Sequence, residues 1–433
     1  MQALLSFENA PPFAAPLRFF ITAPLLAALA GLILVWQGGD LLSSRWHPGL
    51  LAATHLLTVG FMLMVMLGAL IQILPVVAGA NLRQPLQLAR GLHPLLLLGA
   101  LMLAAGLLFG RPGWLQLAAA LLLSAGGWFI HSAVQALWRV PLTSPTIAGL
   151  KLALPALALS LLLGGGLALT LAGGWAWPVS GVTDLHAGWA LGAWATVLLA
   201  AVAYVVVPMF QLTPGYPARA GWLFPWAMCG VVLFWSLAEI FRFAAAGLLA
   251  RQLAAGLGLA FAVQTLYLQG QRRRARPDAI YRFWQGGLLC AVFALLLLLT
   301  VNALPEAFAW AGWPVLIGVL LLPGAFVAFI SGMLYKIVPF LAWMHLQNAG
   351  QGKVSAPSMG KLLPERDALL QSRLYFTAML LLLLAVFFPD WLARPAGLSF
   401  AAAMLWLARN LWLALRRYRA HQRLLSGIAE EGA

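Results

Sequence analysis

Charge is what this sequence has least of: Asp, Glu, Lys and Arg make up 9% of its 433 residues, where an ordinary soluble domain carries roughly 25%. Such a chain cannot solvate a surface of its own, which excludes a water-soluble globular protein. Cysteine is limited to Cys229 and Cys290; both lie inside apolar runs and read as small packing side chains, which excludes a disulfide framework or a Cys-rich metal centre. A phosphate-binding Gly loop, a Ser-His-Asp set and zinc-type ligand spacing are all missing. The N-terminal stretch MQALLSFENAPPFAAP lacks the basic start and cleavage site of a signal peptide, so the first apolar run is expected to be retained.

What fills the chain instead is apolar: 63% hydrophobic residues and a mean hydropathy of +0.92. Crossing the hydrocarbon core as a helix takes about 20 apolar residues. Twelve such runs occur, at 17–37, 50–75, 94–110, 113–138, 150–174, 185–208, 221–242, 244–270, 283–303, 313–340, 373–389 and 396–416. They are continuous Leu, Ala, Val and Gly rather than alternating, which predicts helices and not a barrel. The expectation is one all-α transmembrane domain over residues 1–433, with a polar loop at 345–371.

The formal charge of +15 is placed asymmetrically. With the N-terminus inside, all of the 26 Lys and Arg fall on the inner side except Arg45, Arg111, Arg242, Arg251 and Arg394. This positive-inside pattern predicts a bacterial inner-membrane protein with both termini in the cytoplasm. The basic ends then meet anionic lipid headgroups, and nucleic acid is not an expected partner because no soluble basic domain exists.

The chain also repeats itself. The second, sixth and tenth runs end GALIQILPVV, AVAYVVVPMF and GMLYKIVPFL, and their Pro75, Pro208 and Pro339 stand 133 and 131 residues apart. His55 heads HLLTVGF and His186 heads HAGWALGAW, again 131 apart. The fourth, eighth and twelfth runs share a weaker echo in AVQALW, AVQTLY and LARNLW. Three units of four helices follow, at about 17–138, 150–270 and 283–418, related by an axis along the membrane normal. Gly68, Ala201 and Gly332, seven positions before each Pro, are small enough to let neighbouring helices approach closely.

Twelve helices in three such units, with Ala201-x-x-Tyr204-x-x-x-Pro208, Gly332-x-x-Tyr335-x-x-x-Pro339 and Gly68-x-x-Ile71-x-x-x-Pro75, resemble subunit I of the heme-copper oxidases and nitric oxide reductases. The NnrS-like proteins of nitric oxide stress are a second similar group. The resemblance places His55 where the family's second helix holds a low-spin heme, here heme b, and His186 where its sixth helix holds copper. It also places these two residues in different sites. The family's further His ligands are missing from the start of the tenth helix, WPVLIG, and from the seventh, GWLFPWAMCGVVLFWS. Copper binding and standard oxygen or nitric oxide reductase activity are therefore not expected. The resemblance implies an accessory, sensing or electron-transfer heme or metal protein of respiratory or nitrogen-oxide metabolism, with a respiratory partner protein. Two other classes stand beside it: a small-molecule or proton-coupled transporter, and a cofactor-free assembly partner.

The residues themselves leave alternatives. His55 and His186 are either ligands or interhelical hydrogen-bonding side chains. Asp184 supports His186 or caps a helix. Glu239 and Arg242 share a face and form either a polar pathway or a neutralised interfacial pair. Lys336, beside Tyr335, snorkels to headgroups or marks proton entry, with Tyr204 at the matching position of the sixth helix. His131 is expected to bond Ser or Gln on a neighbouring helix.

Overall fold

The computed structural model describes residues 10–274, 276–304, 310–350 and 356–431. Among them twelve helices are long and apolar enough to cross a membrane. They are α1 (Ala14–Leu42), α2 (Pro48–Ala78), α3 (Pro85–Phe109), α4 (Pro112–Leu137), α5 (Pro145–Leu171), α6 (Val179–Gln211), α7 (Ala218–Ile240), α8 (Ala244–Gly270), α9 (Ala279–Val301), α10 (Trp313–Ala349), α11 (Glu365–Phe387) and α12 (Pro389–Leu425). The described residues contain no strand.

All twelve runs read from hydropathy are helices, but several are longer than the runs themselves. The third begins at Pro85 rather than 94, and Pro94 lies inside it. Pro at the first helical position has no donor to lose, so Pro48, Pro85, Pro112 and Pro145 open helices rather than break them. Ser144 and Asp278 cap α5 and α9 by accepting from Ile147 N at 3.3 Å and Tyr281 N at 3.0 Å. The expected polar loop at 345–371 is shorter than its polarity suggests. Helix α10 continues to Ala349 and α11 starts at Glu365, and of the segment between them residues 351–355, with Lys353, lie outside the described residues. Hydropathy reports the part of a helix that lies in hydrocarbon, not the turns that emerge from it.

The helices close into a ring. Helices α1–α4, α5–α8 and α9–α12 each pack consecutively, and α4 meets α5, α8 meets α9, and α12 returns to α1. At this last seam the backbones touch: a Cβ on Gly31 would lie 2.7 Å from Gly397 O, and one on Gly397 2.6 Å from Gly31 O. Helices α2 and α10 are the innermost, with 78% and 83% of their apolar windows buried, whereas α6 has 50%. The difference for α6 is that it borders a cavity on each side.

Each of α2, α6 and α10 contains a π-helical stretch: Leu56–Leu63, Gly188–Thr196 and Leu320–Val327. These begin 19, 20 and 19 residues before Pro75, Pro208 and Pro339. A π turn makes i→i+5 bonds and is rare; it turns the preceding side chains relative to a regular helix and recurs at functional sites. In α10 the displaced Pro323 carbonyl accepts a hydrogen bond from the buried Tyr375 hydroxyl. Nearer the prolines each helix crowds the first helix of its own foursome. A Cβ on Gly68 would lie 2.8 Å from Phe19 Cβ, one on Gly332 2.7 Å from Phe283 Cβ, and one on Gly149 2.6 Å from Ala201 Cβ.

Candidate functional site

The bundle has a histidine face, where α2, α6 and α10 begin, and a proline face, where they end. At the histidine face His55 is the last residue before the π stretch of α2, and His186 lies two residues before that of α6. The structure brings the two rings together, with centroids 6.4 Å apart and planes 14° from parallel. Both line a cavity of about 180 Å³ between α2, α3, α4, α5 and α6. The resemblance placed these residues in separate sites; here they line the same cavity. The physical reason is that each ring sits beside a π turn, on facing sides of α2 and α6.

The tautomers follow from the partners. His55 Nδ1 lies 2.7 Å from Leu51 O and His186 Nδ1 lies 3.0 Å from Ser160 O. A carbonyl only accepts, so each Nδ1 carries the proton and donates, which leaves the Nε2 lone pair free to coordinate. This carbonyl anchoring is the usual outer support of a metal-ligating imidazole. Gly164 makes the room: a Cβ there would stand 2.8 Å from His186 Cε1. The remaining wall is mostly apolar, with Met62, Met66, Leu157 and Leu161 among its residues beside Thr58, Ser160 and Thr183, and Trp46 stands at the histidine face.

The other candidates lie elsewhere. Asp184 neither caps α6, which starts at Val179, nor touches His186; its Oδ1 takes a 2.8 Å hydrogen bond from Arg45, whose guanidinium also lies 4.5 Å from the Trp46 ring. Glu239 pairs across the helical hairpin with Arg251 at 3.4 Å and accepts from Trp235 Nε1 at 3.0 Å. Arg242 is not its partner, because it falls past the end of α7 with φ 56°, exposed. Lys336 does not simply snorkel: it reaches Asp278 at 3.7 Å, which also binds Arg274 at 2.7 Å. Tyr335 is buried and receives a 3.0 Å hydrogen bond from Asn410. Tyr204 packs edge-on to Tyr216, whose hydroxyl lies 3.0 Å from Thr265 Oγ1 and whose phenol is held above its ordinary pKa by burial. His131 bonds Gln135 of its own helix at 2.9 Å rather than a neighbouring helix. The sequence-predicted polar pathway is thus split between the two faces of the bundle, while the two histidines converge.

A second cavity, of about 760 Å³, lies on the other side of α6, between it and α7, α8, α9 and α10. Leu191 borders both cavities.

Among the described residues no three or more His, Cys, Asp and Glu side chains converge. A metal held by His55 and His186 would take its other ligands from a cofactor, from water or from Met62 and Met66 in the same wall. Two imidazoles bound to one metal at about 2.0–2.1 Å, each with a ring radius of roughly 1.1 Å, put their centroids about 6.3 Å apart; the observed separation is 6.4 Å. A porphyrin supplies four equatorial nitrogens and leaves two axial positions for imidazole. The open space is below the 300–1,000 Å³ usual for ligand pockets, so a porphyrin would enter only with repacking of the wall, where Met62 and Met66 are flexible side chains. No family model matches this chain, and no characterised protein matches it in sequence.

Proposed function

We propose that this multi-pass helical protein is a heme b protein of the bacterial inner membrane, built as three four-helix units around α2, α6 and α10 and distantly related to the heme-copper oxidase catalytic subunit. The convergence of His55 and His186, each with Nδ1 anchored on a backbone carbonyl, carries the reading. The recurrence of π stretches and small-residue contacts at matching distances from three prolines supports the threefold architecture. With its positive residues inside, the histidine face is the outer face of the membrane.

In this reading His55 and His186 would hold the heme iron through their Nε2 atoms, with Leu51 O and Ser160 O fixing the ring orientations. Heme iron supplies one-electron chemistry when bound. With both imidazoles engaged, the protein's part would be electron transfer or redox sensing. The transporter alternative has weaker support, since Glu239 and Lys336 are each ion-paired at opposite faces.

The test is the absorption spectrum of protein purified from heme-replete cells. A Soret band that the His55→Ala, His186→Ala double variant lacks is the expected result. A colourless wild-type preparation, or a double variant as strongly coloured as wild type, would overturn the proposal.

A further inference from the structure

The larger cavity makes a second site that shares no ligating residue with the histidine pair. Its walls run from Asp184 to Leu199 on α6 and from Arg251 to Ala262 on α8, and the α-helical stretch of α8, at 1.5 Å per residue, spans about 16–18 Å along the helix axis. That is more than half of the roughly 30 Å hydrocarbon core. The depth is mostly apolar, with Phe261, Phe326 and Phe329 toward the proline face and Thr196 on the α6 wall, its hydroxyl donating to Leu191 O. The charged groups of the lining lie at the other end, where Arg45, Asp184 and Arg251 line the mouth. Arg45 is satisfied by Asp184 at 2.8 Å. Arg251 is not fully satisfied: Glu239 takes one terminal nitrogen at a long 3.4 Å, and its buried Nε has no hydrogen-bond partner among the described residues.

A buried N–H left unpaired is costly, so Arg251 Nε offers a donor that its long contact with Glu239 does not use. We infer that this cavity binds a single-chain amphiphile whose apolar tail fills the 16–18 Å shaft and whose head presents an acceptor oxygen to Arg251. The volume of about 760 Å³ falls within the range of ligand pockets that bury most of their occupant. A fatty acid or lysophospholipid and an isoprenoid quinone share this chemistry. They differ in mass and in the ultraviolet absorbance of the quinone ring.

The experiment uses the full-length protein in detergent, with organic extraction and mass spectrometry of what co-purifies, followed by titration with oleate and with decylubiquinone. Wild type is expected to carry about one chain amphiphile per protein and to bind at least one of the two probes. Ala255→Phe, which fills the shaft from α8, is expected to lower retention and probe binding at least about fivefold. Arg251→Gln weakens binding while leaving the shaft open. Both variants are first checked for a monodisperse elution profile and, where the heme reading holds, an unchanged Soret band. A wild type that yields no stoichiometric amphiphile and binds neither probe would overturn the inference. So would a monodisperse Ala255→Phe protein that binds both probes as wild type does. Neither result bears on the histidine site, whose own test is spectroscopic.

Discussion

Gly332→Ala is the sharpest probe of how the central helices are seated. The added Cβ would lie 2.7 Å from Phe283 Cβ, where ordinary contact begins at 3.4 Å. The shortfall is about 0.7 Å. Phe283 Cβ is fixed to the α9 backbone, so no rotamer change relieves the clash, and α9 and α10 must separate or tilt. Overpacking of this kind costs about 1–3 kcal/mol, against which Ala returns up to about 1 kcal/mol of helix propensity. The net expectation is a loss of about 0–2 kcal/mol. Gly318→Ala provides the control, since it lies on the same helix and its Cβ would meet nothing within 4 Å, so only the propensity gain remains. Thermal unfolding of both variants in one detergent should place Gly332→Ala below wild type or level with it, and Gly318→Ala level or above, so that the two differ by about 1–3 kcal/mol. Equal transition temperatures would refute the close-packed seat.

Three further outcomes follow from the same geometry. Gly164→Val drives a side chain into the space of the His186 ring and should reduce cofactor absorbance severalfold without loss of folded protein, measured as absorbance per protein across a size-exclusion peak. Tyr375→Phe leaves the Pro323 carbonyl without its donor and should destabilise by about 1–3 kcal/mol in a thermal melt. Asp278→Asn weakens the contacts to Arg274 and Lys336 but keeps an N-cap; because Asn caps nearly as well as Asp, it should cost less than Asp278→Ala, which loses the cap as well and about 0.5–2 kcal/mol with it.

The helical membrane architecture was legible because lipid imposes a single demand, long uncharged runs, and that demand is written along the whole chain. The three prolines do not close the central helices, since α2 and α6 continue three residues beyond Pro75 and Pro208 and α10 ten beyond Pro339, but the small residues seven positions earlier do lie at close approaches. Other features left no local signal. The π stretches have the same composition as the α-helix around them, so neither their existence nor the turning of His55 and His186 toward one cavity could be read in advance. The pairing of Glu239 with Arg251 was hidden by a nearer candidate: Arg242 lies three residues away, but the chain leaves the helix before reaching it. Gly164 was within reach, since three consecutive glycines in the middle of α5 carry a helix-propensity cost that close packing has to offset. The larger cavity was not, because Leu and Ala facing an internal shaft look like Leu and Ala facing lipid. Arg251, read only as one of five outer charges, lines its mouth.

The central claim is that His55 and His186 share one metal. Electron paramagnetic resonance of the oxidised, purified protein tests it most directly. The account predicts a low-spin ferric heme in wild type, converted to high-spin by His55→Ala and by His186→Ala alike, because either loss opens an axial position. A low-spin signal that survives one of the two substitutions unchanged would show that this imidazole is not a ligand, and would contradict the account.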